Sequence, residues 1–188
     1  HKMKFLKIFI ILFISLTTSI KADLNKKLIN ELEEGGKLIF IRHAYAPGSG
    51  DPNNFNLNDC STQRNLSNLG RDQSKKIRKF FKENEIPIDL VISSEWCRCK
   101  ETALIAFNQF ETKNFLNSFY SKKFSENKKS QMKNLKRYIK NWNGDKNLVM
   151  VTHFVVITEA LNYAPGSGEI VISDKNFKKL GNVEISYK

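Results

Sequence analysis

Histidine is nearly missing from this chain: only three of 188 residues are His, and one of them is residue 1. Cysteine is as rare, with Cys60, Cys97 and Cys99 the whole supply. Two cysteines one residue apart and a third far away make a poor tetrahedral set, which argues against a zinc site. Acidic residues are also few, 19 against 31 Lys and Arg, for a formal charge of +12. The excess basic residues are scattered over polar segments such as Ser74 to Lys82 and Asn127 to Lys140, without interleaved aromatics. They read as solvated helix faces, so nucleic acid is not an expected partner. No internal repeat and no second domain are visible, and this length suits one domain with a substantial core.

Long apolar runs are absent except near the start. Lys4 and Lys7 lead into Ile8 to Leu16, and Ala22 precedes Asp23. A basic stretch followed by a short apolar one has the form of a signal peptide, and it is too short for a span of about 20 residues. Residues 1–22 are therefore expected to be a signal peptide, with Met3 as the natural start and His1 and Lys2 as non-native leading residues. Residues 23–188 are expected to form the mature domain, periplasmic or secreted, with no stable membrane insertion after cleavage. An uncleaved anchor is the alternative. The leader carries four lysines and no acid, so the formal charge falls from +12 to +8 on its removal. That positive field still attracts phosphorylated ligands.

What is present is an alternation of strand-like and helix-like segments. Asp23 to Glu34 reads as a helix stopped by Gly35 and Gly36. Lys37 to Arg42 reads as a strand covered on both faces, and Ala44 to Asn65 as a long loop. Ser67 can cap a helix to about Glu83, with Gly70, Ser74, Ile77 and Phe81 on one face. Leu90 to Ile92 is a second strand, and Ser94 can cap a helix from Glu95 to Phe107. The stretch Phe110 to Phe124 reads as irregular. A helix over Asn127 to Trp142, a strand at Leu148, a helix to Leu161 and strands at Ile170 to Ile172 and Val183 to Tyr187 complete the pattern. The fold class is α/β: a three-layer α/β/α sandwich with a mainly parallel central sheet in a single domain.

In such sheets ligands bind beyond the carboxyl ends of the strands. His43 and His153 each stand at such an end, immediately after Arg42 and Thr152. Arg98 follows the second strand in the first turn of a helix. A guanidinium is costly to bury without an anion and is shaped to grip phosphate with two donors. Two Arg and two His thus suit a phosphate dianion. No metal is expected, because no carboxylates or thiolates surround the histidines and the arginines repel a cation. In an exported chain the cysteines can oxidise. Cys97 and Cys99 point to different faces of a helix, so Cys60 is expected to bond to one of them, with Cys97 favoured and Cys99 left as a thiol.

Four ordered segments resemble the histidine phosphatase superfamily, which includes phosphoglycerate mutases and acid phosphatases. They are Arg42-His43-Ala44, the stretch Arg64 to Gln73, the stretch Ser93 to Ala103, and Val151-Thr152-His153, within a match from about Lys37 to Leu161. The resemblance implies that His43 is the nucleophile and passes through a phosphohistidine. It implies that Arg42 and Arg98 hold the phosphoryl oxygens and that His153 adds a further donor. Glu101 is expected to orient a basic neighbour, and Arg64 to reach the pocket or to brace the loop. The chain departs from the family at the general acid. Phe154 stands where one branch has Asp, and no mid-chain Glu motif is recognisable. Glu126 and Asp51 are the first candidates for the acid, ahead of Glu111 and Glu169. The resemblance leans to the branch of the mutases and small bacterial phosphatases. The long loop and the Cys60 to Cys97 pairing resemble small exported members, some of which act on phosphates of lipopolysaccharide core sugars. The expected function is an exported, metal-independent phosphomonoesterase without a cofactor, acting on a small phosphorylated substrate such as a sugar or lipid-linked sugar phosphate. A phosphate-binding protein, a protein phosphohistidine phosphatase and a mutase are the alternatives.

Overall fold

The computed structural model describes residues 26–188. In chain order it holds α1 (26–34), β1 (Leu38–Arg42), α2 (Asn68–Glu83), β2 (Ile88–Ser93), α3 (Cys97–Phe107), β3 (Glu111–Thr112), α4 (Lys128–Asn141), β4 (Asn147–Thr152), α5 (Phe154–Leu161), β5 (Ile170–Ser173) and β6 (Lys179–Val183). The expected signal peptide lies outside the described residues. Among those residues, no helix is long and apolar enough to cross a membrane.

The six strands form one sheet in the order β3-β2-β4-β1-β5-β6. The first four run parallel, while β5 and β6 are antiparallel to their neighbours. The sheet is apolar on both faces because successive strand residues point to opposite sides. Ile39 and Ile41 pack with Leu28 and Leu32 of α1, Ile77 and Phe81 of α2 and Ala103 of α3. Leu38 and Phe40 pack with Leu135 and Ile139 of α4 and Val156 and Ile157 of α5. The result is the expected three-layer α/β/α sandwich with a mainly parallel sheet. Full burial of a side chain such as Phe40, at 0% exposure, stabilises the fold by roughly 1.5–3 kcal/mol.

Two glycines are required by close contact. Gly35, at φ +77°, ends α1, and a Cβ there would lie 2.3 Å from the Asp145 carbonyl oxygen. At Gly70 a Cβ would lie 2.1 Å from the Tyr45 oxygen, so α2 can rest directly on the loop that follows His43. Ser67 caps α2 as expected, its hydroxyl accepting from the Gly70 N–H at 3.3 Å.

Three elements differ from the sequence expectation. The last strand is Lys179–Val183, not Val183 to Tyr187. The Asp174 carboxylate accepts from the N–H groups of Asn176 and Lys178, which turns the chain at once and pairs Ile170 with Val183. The stretch read as irregular contains the short edge strand β3. Helix α3 begins at Cys97 with no side-chain cap, because the Ser94 hydroxyl is engaged elsewhere.

Candidate active site

Register brings the two histidines together. In the parallel pair of β1 and β4, Arg42 lies opposite Thr152, so His43 and His153 are the next residues at the same rim. The His43 N–H donates to the Thr152 carbonyl at 2.9 Å, and the two rings meet edge to face with centroids 5.5 Å apart. Strand β2 joins the rim through the Ser94 N–H, which donates to the Val151 carbonyl at 2.9 Å.

Hydrogen-bond partners assign both tautomers. His43 Nδ1 lies 2.8 Å from the Ala44 carbonyl oxygen, so Nδ1 carries the proton and Nε2 keeps its lone pair. That lone pair accepts from Arg98 Nε at 3.2 Å. His153 is reversed. Its Nδ1 faces the donor Arg98 Nη2 at 3.5 Å, so its Nε2–H donates to Ser94 Oγ at 2.9 Å. Burial first, and the Arg98 cation second, hold both imidazoles well below the ordinary value. Both are therefore neutral at neutral pH, as a nucleophile must be.

Arg98 lies in the first turn of α3 and is only 3% exposed. Its Nη1 and Nη2 donate to the two carboxylate oxygens of Asp51 at 2.8 and 3.2 Å. Nη1 also donates to the Arg64 carbonyl at 3.3 Å. Thr102, one turn later, accepts from the Ala44 N–H at 3.0 Å and donates to the Arg98 carbonyl at 2.7 Å, tying α3 to the residue after His43.

Arg42 donates through Nη1 to the Pro165 carbonyl at 2.9 Å and lies 5.4 Å from the centre of the Phe154 ring. Its Nε is buried with no partner in the protein. A buried charged donor without a partner is costly. Arg64 completes the set, its Nε donating to the Gly50 carbonyl at 2.7 Å. Burial lowers the pKa of Arg64 to about 10, which leaves it cationic at neutral pH. Arg42, Arg64 and Arg98, with His43 and His153, line a cavity of about 500 Å³. Among the described residues, Asp51 is the only acidic one in its wall. A larger depression of about 670 Å³ near Asp89, Tyr138 and Trp142 contains none of these groups, so the smaller cavity is the candidate site.

The other carboxylates lie elsewhere. Glu126 is exposed and borders a separate depression beside Lys128, Met132 and Glu159. Glu111 is exposed in β3 and pairs with Lys113. Glu169 is buried, but it accepts from the Tyr163 hydroxyl at 2.5 Å and the Gly166 N–H at 2.6 Å, bracing the turn that Arg42 contacts. Glu101 accepts from Arg71 Nε at 2.6 Å on the surface. Among the described residues, no group of three or more His, Cys, Asp or Glu is arranged to hold a metal.

Cys60 and Cys97 form a disulfide with Cα atoms 5.7 Å apart, and Cys99 is a buried free thiol. The bond ties the loop at 44–65 to the residue beside Arg98. Gln63 reinforces it by accepting from the Cys97 N–H at 2.9 Å. Sequence reasoning missed the role of Ser94, whose hydroxyl also accepts from the Trp96 N–H and donates to Asn117 Oδ1 at 3.1 Å. The signal for Ser94 was its place at a strand end. Nothing in the sequence pointed to Asn117.

No protein-family model and no curated protein matches the chain. Solved structures do. One is TTHB049 from Thermus thermophilus, 15% identical, covering 80% of this chain and 96% of that one, with a TM-score of 0.57. Another is the protein histidine phosphatase SixA complexed with tungstate, 14% identical over 76% of this chain and 92% of that one, at 0.53. A third is the mycobacterial glucosyl-3-phosphoglycerate phosphatase Rv2419c, 14% identical over 75% and 93%, at 0.52. The chain has the fold of these proteins, the histidine phosphatase fold.

Proposed function

We propose that the chain is a metal-independent phosphatase that hydrolyses a phosphomonoester through a phosphohistidine on His43. The observation that carries this reading is a neutral imidazole at the wall of a cavity that three guanidinium groups also line, with its Nε2 lone pair held by Arg98 Nε rather than by a proton. His43 Nε2 attacks phosphorus, the ester P–O bond breaks, and the leaving oxygen departs with the bonding electrons and takes a proton from water. Water then attacks the phosphohistidine, the P–N bond breaks, and inorganic phosphate leaves. Arg42 and Arg98 hold the phosphoryl oxygens as charge shifts onto them, while His153, whose one N–H goes to Ser94 Oγ, faces Arg98 with its Nδ1 lone pair and helps to orient the guanidinium. The tungstate in SixA, an anion of phosphate shape bound to a protein of the same fold, supports the same guest.

Export to the periplasm or exterior is part of the proposal. It rests on the leader at 1–22, and the Cys60 to Cys97 disulfide suits an oxidising compartment. The substrate class is a small phosphorylated compound, such as a sugar or lipid-linked sugar phosphate. One observation favours a second reading, dephosphorylation of protein phosphohistidine. Among the described residues, the cavity offers no unpaired carboxylic acid, and an imidazole leaving group needs less help from one than a sugar alkoxide does. A phosphate-binding protein without turnover is the non-enzymatic alternative.

The test is hydrolysis of p-nitrophenyl phosphate by residues 23–188 with EDTA present. Turnover that survives EDTA and falls at least about 1000-fold in His43→Ala supports the reading. Loss of turnover in EDTA sinks the metal-free mechanism, and tight vanadate binding without turnover favours the binding protein.

A further inference from the structure

Asp51 stands in the long loop after His43, where its neighbours decide what it can do. Its two oxygens accept four hydrogen bonds: from Arg98 Nη1 at 2.8 Å and Nη2 at 3.2 Å, from Trp96 Nε1 at 3.1 Å, and from the Arg64 N–H at 3.0 Å. Each of those groups is a donor. A proton on Asp51 would face no acceptor, and one of the donors would lose its partner. The carboxylate side chain is 15% exposed and the guanidinium 3%. This ion pair is therefore largely withdrawn from water, where removing one partner is costly.

The five N–H bonds of Arg98 are all accounted for. Two on the Nη1–Nη2 side are taken by Asp51, and one by the Arg64 carbonyl. The remaining two, on the Nε–Nη2 edge, point at His43 Nε2 and His153 Nδ1. A planar guanidinium gripped at one end by a two-oxygen fork cannot swing about its stem. We infer that Asp51 is a positioning residue: it locks Arg98 so that the Nε–Nη2 edge faces the space between the two histidines. The inference rests on the proposed phosphoryl site and gives the loop a defined part in it. The disulfide and Gln63 both hold the same loop at Cys97, so the carboxylate is presented from a segment anchored to the residue immediately before Asp51's partner.

A positioning residue and a general acid leave different marks. The experiment compares Asp51→Asn and Asp51→Glu with wild type in two readouts: affinity for inorganic phosphate, and kcat/KM over aryl phosphates of graded leaving-group pKa. Positioning predicts that Asp51→Asn weakens phosphate binding and lowers kcat/KM by about 10- to 100-fold, by the same factor for every leaving group. Asp51→Glu, which restores a fork, recovers part of both. In an Arg98→Ala background Asp51→Asn adds nothing further, since the group it positions is gone. A loss that grows with leaving-group pKa while phosphate binding stays unchanged overturns the inference and makes Asp51 the acid. Full additivity with Arg98→Ala overturns it as well. If Asp51→Asn does not fold, the Asp51→Glu measurements decide by the same criteria. Should wild type turn over no aryl phosphate, the hydrolase reading fails, and the phosphate affinities still judge Asp51.

Discussion

The site is assembled from two regions that are held in different ways. The rim formed by the ends of β1, β2 and β4 is set by backbone pairing: the register of Arg42 with Thr152 alone puts His43 beside His153. The loop at 44–65 carries two short features, a 3₁₀ turn at Cys60–Thr62 and an isolated bridge, and is held by side chains. Its fastenings are the disulfide to Cys97, the Asp51 fork on Arg98, the Gln63 amide and the Arg64 guanidinium. Register is cooperative and tolerant of single substitutions, whereas a side-chain tether is lost with one residue. The proposed nucleophile and its neighbour are thus built into the sheet, and the proposed phosphate grip depends on a loop that is clamped on.

The largest effect expected in breaking this contrast is at the residue where the regions meet. Arg98→Ala removes a proposed phosphate donor and strands the buried Asp51 carboxylate. kcat/KM is expected to fall about 100- to 1000-fold, roughly 3–4 kcal/mol of transition-state stabilisation, as steady-state kinetics will read. Next is the paired substitution Cys60→Ser with Cys97→Ser. Loss of this 37-residue link is expected to cost about 2–5 kcal/mol of stability, seen as a lower urea midpoint. Turnover is expected to fall less than in Arg98→Ala, because strand register still pairs His43 with His153. An equal loss of turnover would erase the distinction between rim and loop.

The smallest effect concerns the rim alone. Both buried imidazoles have folded-state pKa values depressed below the ordinary figure of about 6.5. The unfolded chain therefore binds protons first as pH falls. The stability that the neutral rings contribute is present above about pH 6.5 and is lost as pH drops toward and through their folded values. Urea midpoints are expected to decline between about pH 7 and pH 5, and to decline less steeply in His153→Gln. Identical slopes for the two proteins would show that His153 is not the group responsible.

The rim was also the part that could be read from the sequence. Apolar runs ending in His43 and His153 are legible because a buried parallel strand needs no polar residue along it, and a parallel sheet brings such ends together. Arg98 was legible from its place after β2. Ser94 was read as a helix cap because serine before a helix usually is one, yet its hydroxyl serves His153 and α3 starts three residues later. The loop resisted reading for the physical reason that its contacts are long-range and specific to side chains. The proline and glycine residues marked a loop, but nothing in the spacing said that Asp51 would fold back onto Arg98. Edge elements were poorly legible too, since the polar run Lys179–Val183 gains its pairing from the turn at Asp174 rather than from its own pattern.

The most direct measurement is the mass of the peptide containing His43 from enzyme quenched at alkaline pH during turnover of p-nitrophenyl phosphate. A phosphoryl group on His43, discharged by water and missing in His43→Ala, is the expected result. Turnover with the phosphoryl group on another residue, or with no phosphorylated enzyme at all, would contradict it.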